Sequence, residues 1–247
     1  MKLKPIFKQT KPNFLNWVLK NIPDNSEYEC FVEPYVSSTN LFLFNKKSKI
    51  EVLGDFSKEI CLIYKHLRDK PKEFVKTVKK LKYENETFEK CLNSNTQDIF
   101  EQAINEFCVH KMSKKENKRS FSKGKDTNWK KSISILPDTI KRIKDCFILD
   151  KNPFDLIKAF DDKKTFCFIN PPDMDDPKFS DFDSVTMTTD QHIELSQIIS
   201  DYKGKIMIIG YQSSLYKRLY KEWNCDKRVN DKETNKYKKN ECIWRNY

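Results

Sequence analysis

Glycine is the scarcest structural residue in this chain. There are four in 247 residues, Gly54, Gly124, Gly204 and Gly210, where average usage would give roughly seventeen. No two lie close enough to form a GxG loop, so a site that needs bare backbone against its ligand must do without that device. Long apolar runs are also missing. None approaches the ~18 residues of a membrane span, and Met1-Lys2-Leu3-Lys4 does not read as the start of a signal peptide. Eight cysteines (30, 61, 91, 108, 146, 167, 225 and 242) include no CxxC pair. Several sit in apolar runs such as Asp145-Cys146-Phe147-Ile148. They read as buried thiols of a reducing intracellular compartment, neither a disulfide framework nor a zinc site. His66, His110 and His192 have no ligand spacing, and no metal is expected.

What is present suits one α/β domain with a small inserted lobe. The length can bury a sizeable core, and 13% aromatic residues argue against disorder. The net charge of +11 favours a polyanionic partner, nucleic acid first. A codon bias that enriches Lys and Asn would give the same total without any partner.

Apolar periodicity predicts a helix over 11–22, a strand over 29–32, an apolar segment over 41–44, a strand over 49–53 that ends at Gly54-Asp55, and a helix over 57–69. Strand, helix, strand with an acid after the second strand opens a Rossmann-like sheet. Residues 70–135 change character. A basic helix is predicted over 74–83 and another over 96–109, followed by the run KMSKKENKRSFSKGKDTNWKK. Its Lys114, Lys115, Lys118, Arg119, Lys123, Lys125 and Lys130, interleaved with Phe121 and Trp129, suit phosphate contact with base stacking. A solvated charged loop has the same composition. The α/β pattern then resumes. Helices are predicted over 137–144, 154–160, 189–202 and 213–223. Strands are predicted over 146–149, 165–169 and 205–209, with a closing pair around 225–229 and 241–244. After the strand Thr165–Ile169 comes Asn170-Pro171-Pro172-Asp173, where two prolines must end the ladder.

In order, these segments resemble the Dam-type adenine-specific DNA methyltransferases, especially compact phage and bacterial members. Lys4-Pro5-Ile6-Phe7-Lys8, Phe31-Val32-Glu33-Pro34-Tyr35, Asp55 with Ser57-Lys58-Glu59-Ile60, and Asn170-Pro171-Pro172-Asp173 stand where that family has its opening segment, motif I, an acidic strand end and the catalytic Asp-Pro-Pro-Tyr. Met187-Thr188, His192-Ile193-Glu194-Leu195, Gly210-Tyr211, Ser214-Leu215-Tyr216 and Glu241-Cys242-Ile243-Trp244 continue the match. The resemblance implies a Rossmann-like sheet for S-adenosylmethionine (SAM) over 1–69 and 136–247, with an inserted DNA-reading lobe over 70–135. It implies that Asn170 and the Pro171 carbonyl would hold the amine of a flipped adenine. The cofactor would lie along Glu33, Pro34, Ser37, Thr39 and Asp55.

The departures fall on those same positions. Gln9-Thr10-Lys11-Pro12-Asn13 replaces a Trp-Ala-Gly-Gly-Lys segment. Val36-Ser37-Ser38-Thr39 replaces Val-Gly-x-Gly, which puts a β-carbon at each glycine position. Where φ > 0 is needed, that costs at least about 1 kcal/mol. Pro153 replaces an acid that reads the SAM adenine. Asp173 replaces the aromatic that stacks on the base, a contact worth ~1–3 kcal/mol. The expectation is therefore a methyltransferase-fold, nucleic-acid-binding protein, DNA before RNA, that has lost catalysis. It would act as a binding subunit beside an active methyltransferase or in a larger nucleoprotein assembly, with no membrane partner. The alternative is an active SAM-dependent adenine methyltransferase with a variant Asn-Pro-Pro-Asp motif.

Overall fold

The computed structural model describes residues 4–7, 11–114, 120–124, 126–174, 186–228 and 240–247. The chain forms two compact units, one of residues 10–56 and 151–247, the other of residues 1–9 and 57–150.

The first unit opens with helix α1 (Pro12–Asn21). Proline in its first turn is pre-set for the helix, and Leu15 and Val18 are buried. Strand β1 (Cys30–Glu33) is buried along its length, as a parallel strand covered on both faces must be. A single helical turn, α2 (Val36–Thr39), and a 3₁₀ turn (Leu41–Leu43) lead to β2 (Ile50–Leu53).

The second unit is mostly helical: α3 (Lys58–Asp69), α4 (Pro71–Lys80), α5 (Asn85–Leu92), α6 (Ile99–Met112), α7 (Thr127–Ser134), α8 (Leu136–Ile143) and the short β3 (Phe147–Ile148). Its core is aromatic. Phe107 on α6 meets Phe74 at 5.5 Å and Trp129 at 5.8 Å, while Phe7 meets Tyr64 at 5.4 Å. Apolar periodicity does not predict α5 or α7. Each has few apolar anchors, Phe88 and Cys91 in one and Trp129 in the other, so the pattern is faint and neighbours fix the helix.

The chain then returns to the first unit with α9 (Pro153–Ala159), β4 (Thr165–Ile169), β5 (Asp173–Met174), β6 (Thr186–Met187), α10 (Thr189–Ser200), β7 (Lys205–Tyr211), α11 (Ser214–Leu219), β8 (Asn224–Arg228) and β9 (Glu241–Arg245). In this unit the strands run in the order β2-β1-β4-β7-β9-β8. Pairing is parallel from β2 to β7, and β9 is antiparallel to both β7 and β8. This is the expected Rossmann-like α/β sheet. From β1 the chain goes first to β2 on one side and later to β4 on the other. Ligand crevices form at such a switch point, outside the carboxyl ends of the strands.

Glycine serves packing here rather than left-handed turns. No described glycine has φ > 0; the one described residue that does is Asn40, at φ 54°. A β-carbon on Gly204 would come within 2.4 Å of the Thr165 carbonyl oxygen and 2.5 Å of that of Asp162. One on Gly210 would come within 2.3 Å of the Tyr216 ring.

Candidate functional site

Three neighbouring parallel strands deliver the candidate residues to one edge of the sheet unit. β1 ends in Glu33 and leads into Pro34-Tyr35, β2 leads into Gly54-Asp55, and β4 leads into Asn170-Pro171-Pro172. The turn α2 lies among them. Its first N–H, on Val36, donates to the Gly54 carbonyl at 2.9 Å. The Ser37 N–H donates to Asp55 Oδ2 at 2.8 Å. At the other end of the turn, Thr39 Oγ1 accepts from Asn170 Nδ2 at 2.6 Å. The two surviving candidate ligands, Asp55 and Asn170, are thus each held by the segment that replaces the glycine loop.

Serine and threonine fit this segment because its backbone does not call for a left-handed residue until Asn40. Residues 36–39 are right-handed helix, which suits serine and threonine. The left-handed residue comes one place later, at Asn40, which caps the turn by donating from its N–H to the Val36 carbonyl. Asparagine is among the residues that accept that region best. Thr39 and Asn40 are fully buried. Glu33 is also fully buried, and its two carboxylate oxygens accept from the N–H groups of Leu41 and Phe42, both at 2.8 Å. It stabilises the turn after β1. Pro34 is buried beside it, and Tyr35 reaches the Met187 sulfur at 3.9 Å. Burial holds the Tyr35 phenol well above its usual range.

Pro153 has an equally local explanation. It is the first residue of α9, and the Asn152 side chain caps that helix by accepting from the Phe154 N–H at 2.8 Å. Asn-Pro-Phe here starts a helix.

Asp173 is half-buried and pairs in register with Thr186, so the residue in the aromatic slot belongs to a two-stranded ladder. With Pro171, Pro172 and Gly210 it lines a narrow pocket that Tyr216 closes. The Tyr216 ring packs edge-on to Trp244 at 5.1 Å, and its hydroxyl lies 2.9 Å from His192 Nδ1. His192 is fully buried, and burial lowers its pKa to about 4. Sequence reasoning names both segments but not the contact between them. Gly210 is a signal for that packing, because a β-carbon there would come within 2.3 Å of the Tyr216 ring.

The turn already engages one atom of each residue that SAM chemistry would use. Asp55 Oδ2 accepts from the Ser37 N–H, and the buried Thr39 hydroxyl accepts from the Asn170 nitrogen. Among the described residues no group of three His, Cys, Asp or Glu is placed to hold a metal ion, and no helix is long and apolar enough to cross a membrane.

The basic candidates lie in the helical unit. Lys114 and Lys123 are exposed, and Lys130 is exposed with its Nζ 2.7 Å from Asp126. Lys115, Lys118, Arg119 and Lys125 lie outside the described residues, as do Gln9 and Thr10. Trp129 requires a correction. It is 4% exposed and packs on Phe107, so most of its ring belongs to the core and little of it reaches the surface of the basic run. The unit as a whole is strongly basic. Residues 1–9 and 57–150 carry 25 Lys and Arg against 14 Asp and Glu, a net of +11. Residues 10–56 and 151–247 carry 22 against 22, a net of zero.

The family model for the D12 class N6 adenine-specific DNA methyltransferases matches residues 10–236. Among curated proteins no match is found.

Proposed function

From the premise that the chain belongs to the D12 class N6 adenine-specific DNA methyltransferases, we propose that it binds DNA through its helical unit and does not transfer methyl groups. The observation that carries this reading is the turn 36–39, bonded at one end to Asp55 and at the other to Asn170. Methyl transfer needs the target amine between Asn170 and the methyl donor, with reacting atoms about 3–3.5 Å apart. Thr39 already stands in contact with Asn170. Asp173, in place of an aromatic ring, supplies no stacking face and adds negative charge beside a polyanion. The protein then serves as a DNA-binding subunit, alongside an active methyltransferase or within a nucleoprotein assembly. Calorimetric titration with SAM tests it. No binding heat and no methylated adenine in mixed-sequence DNA are expected. Micromolar binding together with methyl transfer would overturn the reading.

One feature favours a second reading, an active SAM-dependent adenine methyltransferase. By donating from Nδ2 to Thr39, Asn170 turns its Oδ1 elsewhere, and Oδ1 is the acceptor a target amine requires. Asp55 would then hold the ribose hydroxyls once the turn opened. In that case Asn170→Ala would abolish a measurable activity.

A further inference from the structure

The helical unit contains a pocket of about 590 Å³ between the end of α4 and helix α7, within the roughly 300–1,000 Å³ of small-ligand sites. Its floor is apolar, formed by Leu81, Trp129 and Ile133, and its rim is cationic, formed by Lys79, Lys82 and Lys130. One wall is Tyr83. That ring is fixed in place: its hydroxyl donates to the Ser122 carbonyl at 2.7 Å and its face tilts on Phe121 at 5.0 Å. Lys130 is engaged with Asp126. Lys79 and Lys82 are exposed and make no ion pair among the described residues.

These two chemistries in one concavity narrow the ligand. The phosphate backbone of a duplex needs cations on an accessible surface and gains nothing from an apolar floor. A simple anion gains nothing from Tyr83. An unpaired nucleotide uses both, with its base against the fixed ring and floor and its phosphates on Lys79 and Lys82. We propose that this pocket receives an unpaired nucleotide of a nucleic-acid strand, so that the protein engages single-stranded or locally opened DNA in addition to duplex. This rests on the reading of the helical unit as the nucleic-acid-binding surface. It does not depend on whether the Asn170 corner is active.

Fluorescence anisotropy with the full chain tests it, using three labelled probes: a short mixed-sequence single strand, an abasic strand of the same length, and a duplex. The base-bearing strand is expected to bind about tenfold more tightly than the abasic one. Tyr83→Ala should remove that difference and leave duplex affinity within about twofold, which also shows that the variant folds. Tyr83→Phe, which keeps the ring, should retain the difference. Lys79→Gln with Lys82→Gln should weaken both single strands and flatten their salt dependence. Equal affinity for the base-bearing and abasic strands overturns the proposal, as does a difference that survives Tyr83→Ala. Displacement by micromolar free deoxyadenosine monophosphate would assign the pocket to a free nucleotide and overturn the strand assignment. Failure of all three probes to bind would overturn the underlying DNA-binding reading as well.

Discussion

The two units differ in what their charges do. The sheet unit, 144 residues, has equal numbers of acids and bases, and many of them meet. Glu29 lies against both Lys49 and Lys164, Glu27 is 2.9 Å from Lys205, and Arg228 is 3.4 Å from Glu241. The helical unit, 103 residues, has a similar density of acids but many more bases, and the entire net charge of the protein. A codon bias toward lysine would enrich both units alike. The segregation argues for a polyanion-facing function confined to one of them. The sheet unit has the strand order β2-β1-β4-β7-β9-β8, with the helical turn 36–39 after β1. The excess of bases lies in the helical unit alone.

The largest expected effect tests that separation directly. Reversing three exposed bases of the helical unit, Lys114→Glu, Lys123→Glu and Lys130→Glu, should weaken DNA binding about a hundredfold or more. The slope of log affinity against log salt should fall by about 0.9 for each phosphate that is no longer neutralised. Reversing three exposed lysines of the sheet unit, Lys20→Glu, Lys151→Glu and Lys163→Glu, should change affinity by less than about threefold. Equal losses in the two sets would end the division of labour.

Next comes stability, with one glycine from each unit. In Gly204→Ala the new methyl meets two backbone carbonyl oxygens that cannot rotate away. A loss of about 3 kcal/mol is expected in denaturant melts, the high end for overpacking. In Gly124→Ala the nearest atom is the Ser122 hydroxyl at 3.4 Å, and the change should stay within about 0.5 kcal/mol. A large effect at Gly124 would show that the helical unit is more tightly specified than its surface suggests.

A third effect follows from His192. Its folded pKa, about 4, lies below the ordinary value of 6.5, so the native state holds it neutral. Its contribution is complete above pH 6.5 and is lost as pH falls from 6.5 toward 4, because the unfolded chain takes up the proton first. The span corresponds to about 3 kcal/mol. Comparing the protein with His192→Gln isolates it: the stability gap between the two should narrow by about that amount between about pH 7 and pH 4. A constant gap would mean the imidazole protonates within the fold.

Much of the sheet unit is legible in the sequence because buried parallel strands and capped helices announce themselves locally. Thr165–Ile169 is an uninterrupted apolar strand closed by two prolines, and Thr188 starts α10 with a reciprocal capping box to Gln191. The departures at 37, 39, 153 and 173 are legible as departures. What replaces them is not. A serine-threonine segment does not say that it will become a helical turn, because the deciding partners are distant: Asp55 lies 18 residues from Ser37, and Asn170 lies 131 from Thr39. Trp129 misleads for a related reason. A lysine-rich neighbourhood reads as surface, yet a single large ring can be the buried anchor of a short helix, and its partner Phe107 lies on another helix.

The smallest expected effect concerns Glu29, which accepts from Lys49 at 3.1 Å and also from Lys164. All three groups are solvent-accessible, and their pairing pulls the Glu29 carboxyl below its usual range and raises Lys164. Exposed pairs contribute little to stability, so Glu29→Gln should leave the melting temperature essentially unchanged. It also releases two lysines and moves the sheet unit from a net charge of zero to one positive charge, which makes it a sensitive check on the comparison. If DNA meets only the helical unit, affinity should move by less than about twofold at physiological salt, where charges beyond ~8 Å are largely screened. A clear gain in affinity from this one neutralisation would mean that the sheet unit also faces the nucleic acid, and that its balanced charge restrains binding there.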